Sequence, residues 1–131
     1  MKALIGKTIT GLSVSDNQGM LVFDHPNGEE TIFYAYGDCC SETWFADIVG
    51  VDALLNATVK TCEEITMGEV ADGRGRQKYD QVYCFKLTTN KGNVDVVFRN
   101  SSNGYYGGKL QQVTSIPKNK KFVQITDDWS A

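Results

Sequence analysis

The chain has 131 residues, of which 41% are hydrophobic and 22% charged, a composition that excludes a disordered segment and fits one globular domain. Its net charge is −3 and no basic run exceeds Lys118-Asn119-Lys120-Lys121, which argues against a broad nucleic-acid-binding surface. No apolar stretch approaches the roughly 20 residues that cross a bilayer, and the start is too short for a secretory signal, so we expect a single cytoplasmic domain over residues 1–131 with no membrane partner.

Three strands joined by short turns are predicted first. A strand begins at Ile9, and Asp16-Asn17-Gln18-Gly19 is a turn whose glycine tolerates positive φ. The returning strand is Met20–Asp24. A second turn then leads into Thr31–Tyr36, which is rich in aromatic and β-branched residues. This order predicts an antiparallel meander.

The apolar period changes in the next segment. Between positions 41 and 55 the large apolar residues follow a helical spacing: Trp44, Phe45, Ile48 and Val49. We therefore predict a helical segment over Ser41–Leu55, interrupted at Gly50. Asp38 or Ser41 suits its N-cap because either side chain accepts hydrogen bonds from the first backbone N–H groups.

The second half of the chain returns to strands. Ala57–Thr66 and Lys78–Thr89 flank a glycine- and charge-rich loop. A hairpin centred on Gly73 would set Cys62 opposite Cys84.

A second hairpin follows, with its turn at Thr89–Gly92. Its register pairs large apolar residues on one face: Leu87 with Val94, Phe85 with Val96, and Tyr83 with Phe98. Lys86 faces Asp95 on the other side as an opposite-charge pair. Two more strands are predicted, over Lys109–Ile116 and Phe122–Thr126. The predicted fold is α+β, an antiparallel, strongly curved or barrel-like sheet with the Ser41–Leu55 helical segment packed against it.

The segment after Phe98 is the strongest candidate for a binding loop. Glycines leave backbone N–H groups able to face an anion, and Arg99 suits a phosphate or carboxylate. Either tyrosine of the segment can stack on a planar base. We therefore predict a ligand-binding site at five positions: Arg99, Asn100, Asn103, Tyr105 and Tyr106. The alternative is a solvated turn whose tyrosines fold back on the sheet.

Four cysteines are present: Cys39, Cys40, Cys62 and Cys84. Without a secretory signal we expect all four to be reduced. A thiol at a helix start has a lowered pKa, so the Cys39-Cys40 pair suggests a nucleophile with His25 as its base.

A zinc site is a second alternative, built from Cys40, Cys62 and Cys84 with Asp38 or His25, but the Cys-x-x-Cys chelate is absent. The favoured interpretation is a structural motif in which thiols are small buried hydrophobes. It comprises Asp38, Cys39, Cys40, Ser41 and Trp44. We predict no catalytic residue, no metal and no cofactor.

Two segments carry a resemblance to a known family. They are Gly-Asp-Cys-Cys-Ser-Glu-Thr-Trp-Phe at residues 37–45 and Phe-Arg-Asn-Ser-Ser-Asn-Gly-Tyr-Tyr-Gly-Gly at residues 98–108. Through them the chain resembles a family of small uncharacterised domains among bacteriophage and bacterial hypothetical proteins. The resemblance implies a phage or prophage accessory protein in the host cytoplasm and carries no activity with it.

The predicted function is therefore binding without catalysis. The ligand would be small and anionic, of the nucleotide type, and its sequestration would serve host counter-defence. One alternative is a protein–protein inhibitor of a host protein that docks through an acidic surface or a sheet edge. Another is a cysteine-dependent enzyme.

Overall fold

The structure is a computed structural model that describes residues 1–37, 41–71, 79–102 and 108–131. A single 3-10 turn, Lys2–Leu4, opens the chain, and one short helix, α1, covers Val51–Leu54. All other regular elements in these ranges are strands: β1 Thr8–Ile9, β2 Gly11–Ser15, β3 Met20–Asp24, β4 Glu30–Gly37, β5 Glu42–Val49, β6 Ala57–Ala71, β7 Tyr79–Thr89, β8 Asn93–Ser102, β9 Gly108–Val113, β10 Phe122–Gln124 and β11 Trp129–Ser130.

The strands form two antiparallel sheets. A six-stranded sheet has the order β1-β6-β7-β8-β5-β11, and a five-stranded sheet has the order β10-β2-β3-β4-β9. Their facing sides enclose one core, in which Leu12, Phe23 and Phe33 of the smaller sheet meet Phe45 and Phe98 of the larger one. Because each strand alternates its side chains between two faces, this core takes every second residue of most strands.

The predicted α+β fold is wrong: the protein is essentially all-β, with antiparallel and curled sheets. The predicted helical segment Ser41–Leu55 is strand β5 followed by the single turn of α1. A bulge between Phe45 and Asp47 explains the error, because it places Phe45 opposite Phe98 and Ile48 opposite Val96 on the same face. Apolar residues three apart therefore share one face of a strand, and this imitates the spacing of a helix.

The β7–β8 hairpin has the predicted register. Leu87 pairs with Val94, and Phe85 with Val96, on the core side. On the other face Lys86 Nζ lies 3.4 Å from Asp95 Oδ1.

The predicted pairing of Cys62 with Cys84 is wrong. Cys62 pairs with Leu87, while Cys84 pairs with Ile65. Cys62 packs against the core, whereas Cys84 precedes the inward-facing Phe85 and lies on the opposite face. Both are free thiols. The predicted turn at Gly73 lies outside the described residues.

The last residues of the chain contribute to both sheets. β10 pairs with β2 at one edge of the five-stranded sheet, and β11 pairs with β5 at one edge of the six-stranded sheet. Between them Asp128 Oδ1 accepts hydrogen bonds from the backbone N–H groups of Gly50 (2.8 Å) and Val51 (3.0 Å), at the start of α1. In the described ranges no helix is long and apolar enough to span a membrane.

Candidate functional site

The two sequence segments that carry the family resemblance meet in space. β5 pairs with β8, so that Thr43 lies opposite Asn100 and Trp44 lies opposite Arg99. β4 pairs with β9, which brings Gly37 opposite Gly108. We call the residues of these three pairs, together with Asp80, the motif junction.

Arg99 forms a buried ion pair in this junction. Its Nη2 lies 2.5 Å from Asp80 Oδ2, and its guanidinium carbon is 5.9 Å from the centre of the Trp44 ring. Asp80 is fully buried, and the Arg99 side chain is 25% exposed. The guanidinium group is therefore committed to a carboxylate and to an indole, and an incoming anion would compete with Asp80.

The Asn100 side chain lies where the two sheets come close together. Its Nδ2 donates to Thr43 Oγ1 at 2.8 Å, and the side chain is fully buried. Glycine is required on the facing strands. A Cβ on Gly37 would lie 2.7 Å from Asn100 Nδ2, and one on Gly108 would lie 2.8 Å from Asn100 Cβ. Both positions therefore favour glycine over any residue with a side chain.

The predicted site residues are only partly brought together. Arg99 lies on the face of β8 opposite to Phe98, as strand alternation predicts. Asn100 lies on the same face as Phe98, where the two sheets pack against each other. Ser41 is half-buried and precedes a strand rather than a helix, and Trp44 is buried. The remaining predicted residues lie outside the described ranges: Asp38, Cys39, Cys40, Asn103, Tyr105 and Tyr106. The prediction that they bind a ligand or build a structural motif stays a prediction.

A cavity of about 460 Å³ adjoins the motif junction at Gly108 and lies between the two sheets. We call it the inter-sheet cavity. Phe33, Phe85, Leu110 and Cys62 belong to the core or pack against it. The other lining residues are Met1, Lys2, Tyr36, Glu64, Gly108 and Lys109. Sequence reasoning missed this cavity, because its walls come from strands far apart in the chain.

The thiol in this cavity is not activated. Burial raises the pKa of Cys62, and the amino group of Met1 and the ammonium of Lys2 only partly oppose this. Both ring nitrogens of His25 are hydrogen-bonded, Nδ1 to the Thr8 carbonyl at 2.8 Å and Nε2 to Thr31 Oγ1 at 2.7 Å. Within the described ranges no group of three or more His, Cys, Asp or Glu side chains is placed to hold a metal ion.

Comparison with known proteins adds the family. A search of curated proteins and a search of solved structures each give no match. The profile of a family described as Domain of unknown function (DUF7448) matches residues 2–112, which include both motifs and most of both sheets. The chain therefore belongs to the DUF7448 family of domains of unknown function.

Proposed function

We propose that the protein binds a small anionic ligand with a flat apolar body, without catalysis, and that the ligand occupies the inter-sheet cavity. The observation that carries the proposal is the combination, among the lining residues, of two phenylalanines with Lys2, whose ammonium lies close enough to act on the pKa of Cys62. A volume of about 460 Å³ lies within the range of pockets that hold small molecules.

The cavity has the charge that such a ligand needs. Lys2 and Lys109 contribute two cations, and Glu64 contributes one carboxylate. Lys2 is exposed and belongs to the 3-10 turn that opens the chain, whereas Lys109 lies on edge strand β9 beside Tyr36, on the face opposite to Leu110. Ammonium groups held near a low-dielectric wall attract phosphate or carboxylate groups more strongly than ammonium groups in open solvent.

The floor supplies the apolar contact. Phe33 and Phe85 are 4% and 7% exposed, so each retains a small open surface towards the cavity. Aromatic rings favour flat partners in stacked or edge-on contact. A nucleoside monophosphate joins a planar base to an anionic group and is the ligand class that we favour.

The Arg99 segment has a different role in this proposal. Because Arg99 is ion-paired with Asp80, it secures the junction of β5, β7 and β8 rather than offering a cation to a ligand. We assign the anion instead to Lys2, a cation that lines the cavity close to Cys62.

The test is a thermal-shift titration with adenosine monophosphate, other nucleoside phosphates, adenosine and inorganic phosphate. We expect nucleoside phosphates to raise the melting temperature more than either fragment does, and Lys2→Glu to remove the effect. Lys60→Glu is the matched control, since Lys60 is an exposed strand lysine outside the cavity. No stabilisation by any of these anions, or equal stabilisation of Lys2→Glu, would refute the proposal.

The biological setting that we propose is a phage accessory protein that withdraws a nucleotide signal from host defence. It is supported by the family resemblance carried by the two motifs. Plaque counts on a defended host should rise when the protein is expressed and fall back with Lys2→Glu. Equal counts for the two proteins would leave binding in place and remove the counter-defence role.

A further inference from the structure

The outer face of the five-stranded sheet is only half covered. Met20, Val22 and Ile32 form a small apolar cluster there. Ile116 and Phe122, from the segment after β9, pack against this cluster. Beyond this cluster the segment after β9 no longer covers the outer face of the sheet. The side chain of Tyr34, the next outward residue of β4 after Ile32, is 42% exposed.

A slot of about 300 Å³ opens beside Tyr34, which we call the Tyr34 slot. Met20, Val113 and Pro117 supply apolar lining, and Ser115 and Lys120 complete it. The Tyr34 ring is held by stacking on Tyr36, with centroids 6.0 Å apart and planes inclined by 20°. A fixed, partly exposed aromatic ring beside an apolar slot resembles the anchor pockets of protein interfaces.

Positive charge is concentrated at one end of this slot. Lys118 and Lys121 are exposed, and Lys120 is half-buried and lines the slot itself. The backbone N–H of Lys120 donates to the Pro117 carbonyl at 3.1 Å, and this turn brings Lys120 and Pro117, which both line the slot, together with Lys118 and Lys121 in one short segment. In a chain with a net charge of −3, three lysines within four residues form a local positive patch.

We propose that the Tyr34 slot binds an acidic peptide segment of a partner protein, with one large apolar side chain in the slot and carboxylates on Lys118, Lys120 and Lys121. Among the residues that the structure describes, the slot and the inter-sheet cavity have no lining residue in common, and they adjoin only through Tyr36, which lines the cavity and stacks on Tyr34. The proposal therefore goes beyond the small-ligand function and does not depend on it.

A peptide fits better than a nucleic acid. Three lysines neutralise few phosphates, and binding to nucleic acid through so few contacts is weak at physiological salt. The apolar lining also gains more from an aliphatic or aromatic side chain than from a sugar–phosphate backbone. The acidic character of the partner follows from charge complementarity with the lysines.

The experiment is selection of a displayed library of random peptides on the immobilised full chain. We expect enriched peptides to share an apolar residue flanked by Asp or Glu. Binding of a synthetic enriched peptide should weaken at least tenfold with Lys120→Glu and with Tyr34→Ser. It should also weaken with rising salt, as rim charge contacts do.

Two variants control for general effects. Lys60→Glu makes the same charge reversal on the other sheet, and Val49→Ser removes an apolar side chain that is 49% exposed on β5. Both should bind the peptide as the parent chain does, and thermal melts of all four variants establish that they are folded. Absence of any enriched peptide, enrichment without acidic residues, equal loss in the controls, or displacement by single-stranded oligonucleotides would overturn the proposal.

Discussion

Replacement of Arg99 by alanine tests the buried ion pair of the motif junction. The change removes the guanidinium group that lies 2.5 Å from Asp80 Oδ2 and leaves a carboxylate that is fully buried. Removal of one partner of a buried ion pair costs about 3–5 kcal/mol, because the remaining charge stays in a low-dielectric site. We expect Arg99→Ala to lower the free energy of unfolding by that amount.

Replacement of Asp80 by alanine should lower the free energy of unfolding by a smaller amount. Arg99 is 25% exposed, so in Asp80→Ala the guanidinium can turn towards water, and about 1–3 kcal/mol is expected. The double variant should be more stable than Arg99→Ala alone, because it no longer carries the buried carboxylate. Lys86→Ala on the same hairpin is the matched control. It breaks an exposed pair with Asp95 and should cost under about 1 kcal/mol.

Urea unfolding followed by far-ultraviolet circular dichroism measures all four variants, with the free energy extrapolated linearly to water. Circular dichroism is preferred to tryptophan fluorescence since Arg99 contacts Trp44 directly. If Arg99→Ala proves as mild as Lys86→Ala, the pair contributes no more than a surface pair and the burial argument is wrong. A double variant less stable than Arg99→Ala would also contradict it.

Three further predictions follow from packing and burial. Phe98→Ala should lower the unfolding free energy by about 3–5 kcal/mol in the same assay, because Phe98 is 1% exposed and stacks on Tyr83 at 4.7 Å; a loss below about 1 kcal/mol would contradict the register. Burial raises the pKa of both the Cys62 and Cys84 thiols, so peptide-resolved alkylation should be slow at neutral pH and accelerate as the pH rises. Fast labelling of either thiol at pH 7 would argue against this. Gly108→Ala should cost about 1–3 kcal/mol in thermal or urea unfolding, because its Cβ would lie 2.8 Å from Asn100 Cβ, and a neutral result would mean that the sheets separate easily there.

The strands with regular alternation could be predicted from the sequence. The β7–β8 hairpin has a short turn and two strands that each place large apolar residues on one face, so a slip of one residue would expose all of them. The same register also indicates that Arg99 and Asp80 lie close together. Continued along the hairpin, it pairs Val82 with Arg99 and sets Asp80 two residues further on the same face, within reach of a long side chain.

The errors have local physical causes. The bulge in β5 breaks the alternation that identifies a strand, and no residue type marks its position between Phe45 and Asp47. The offset of Cys62 from Cys84 arises because the pairs nearest the turn, such as Ala71 with Tyr79, are centred two residues after Gly73. The inter-sheet cavity depends on the closeness of strands that do not pair with each other, and a periodic pattern in the sequence carries no such information.

Strands β10 and β11 pair late when the chain folds during its synthesis. Trp129 pairs with Ile48, and Phe122 pairs with Ser15, so both sheets remain incomplete until residues 122–130 have been synthesised. During synthesis β2 and β5 would present unpaired N–H and C=O groups, the exposed edges through which nascent chains associate wrongly. Contacts across such long sequence distances also slow folding, since the entropy of closing the loop is lost before the pairing is gained. We therefore expect a chaperone to bind the β2 and β5 edges during rapid synthesis, until β10 and β11 have been made.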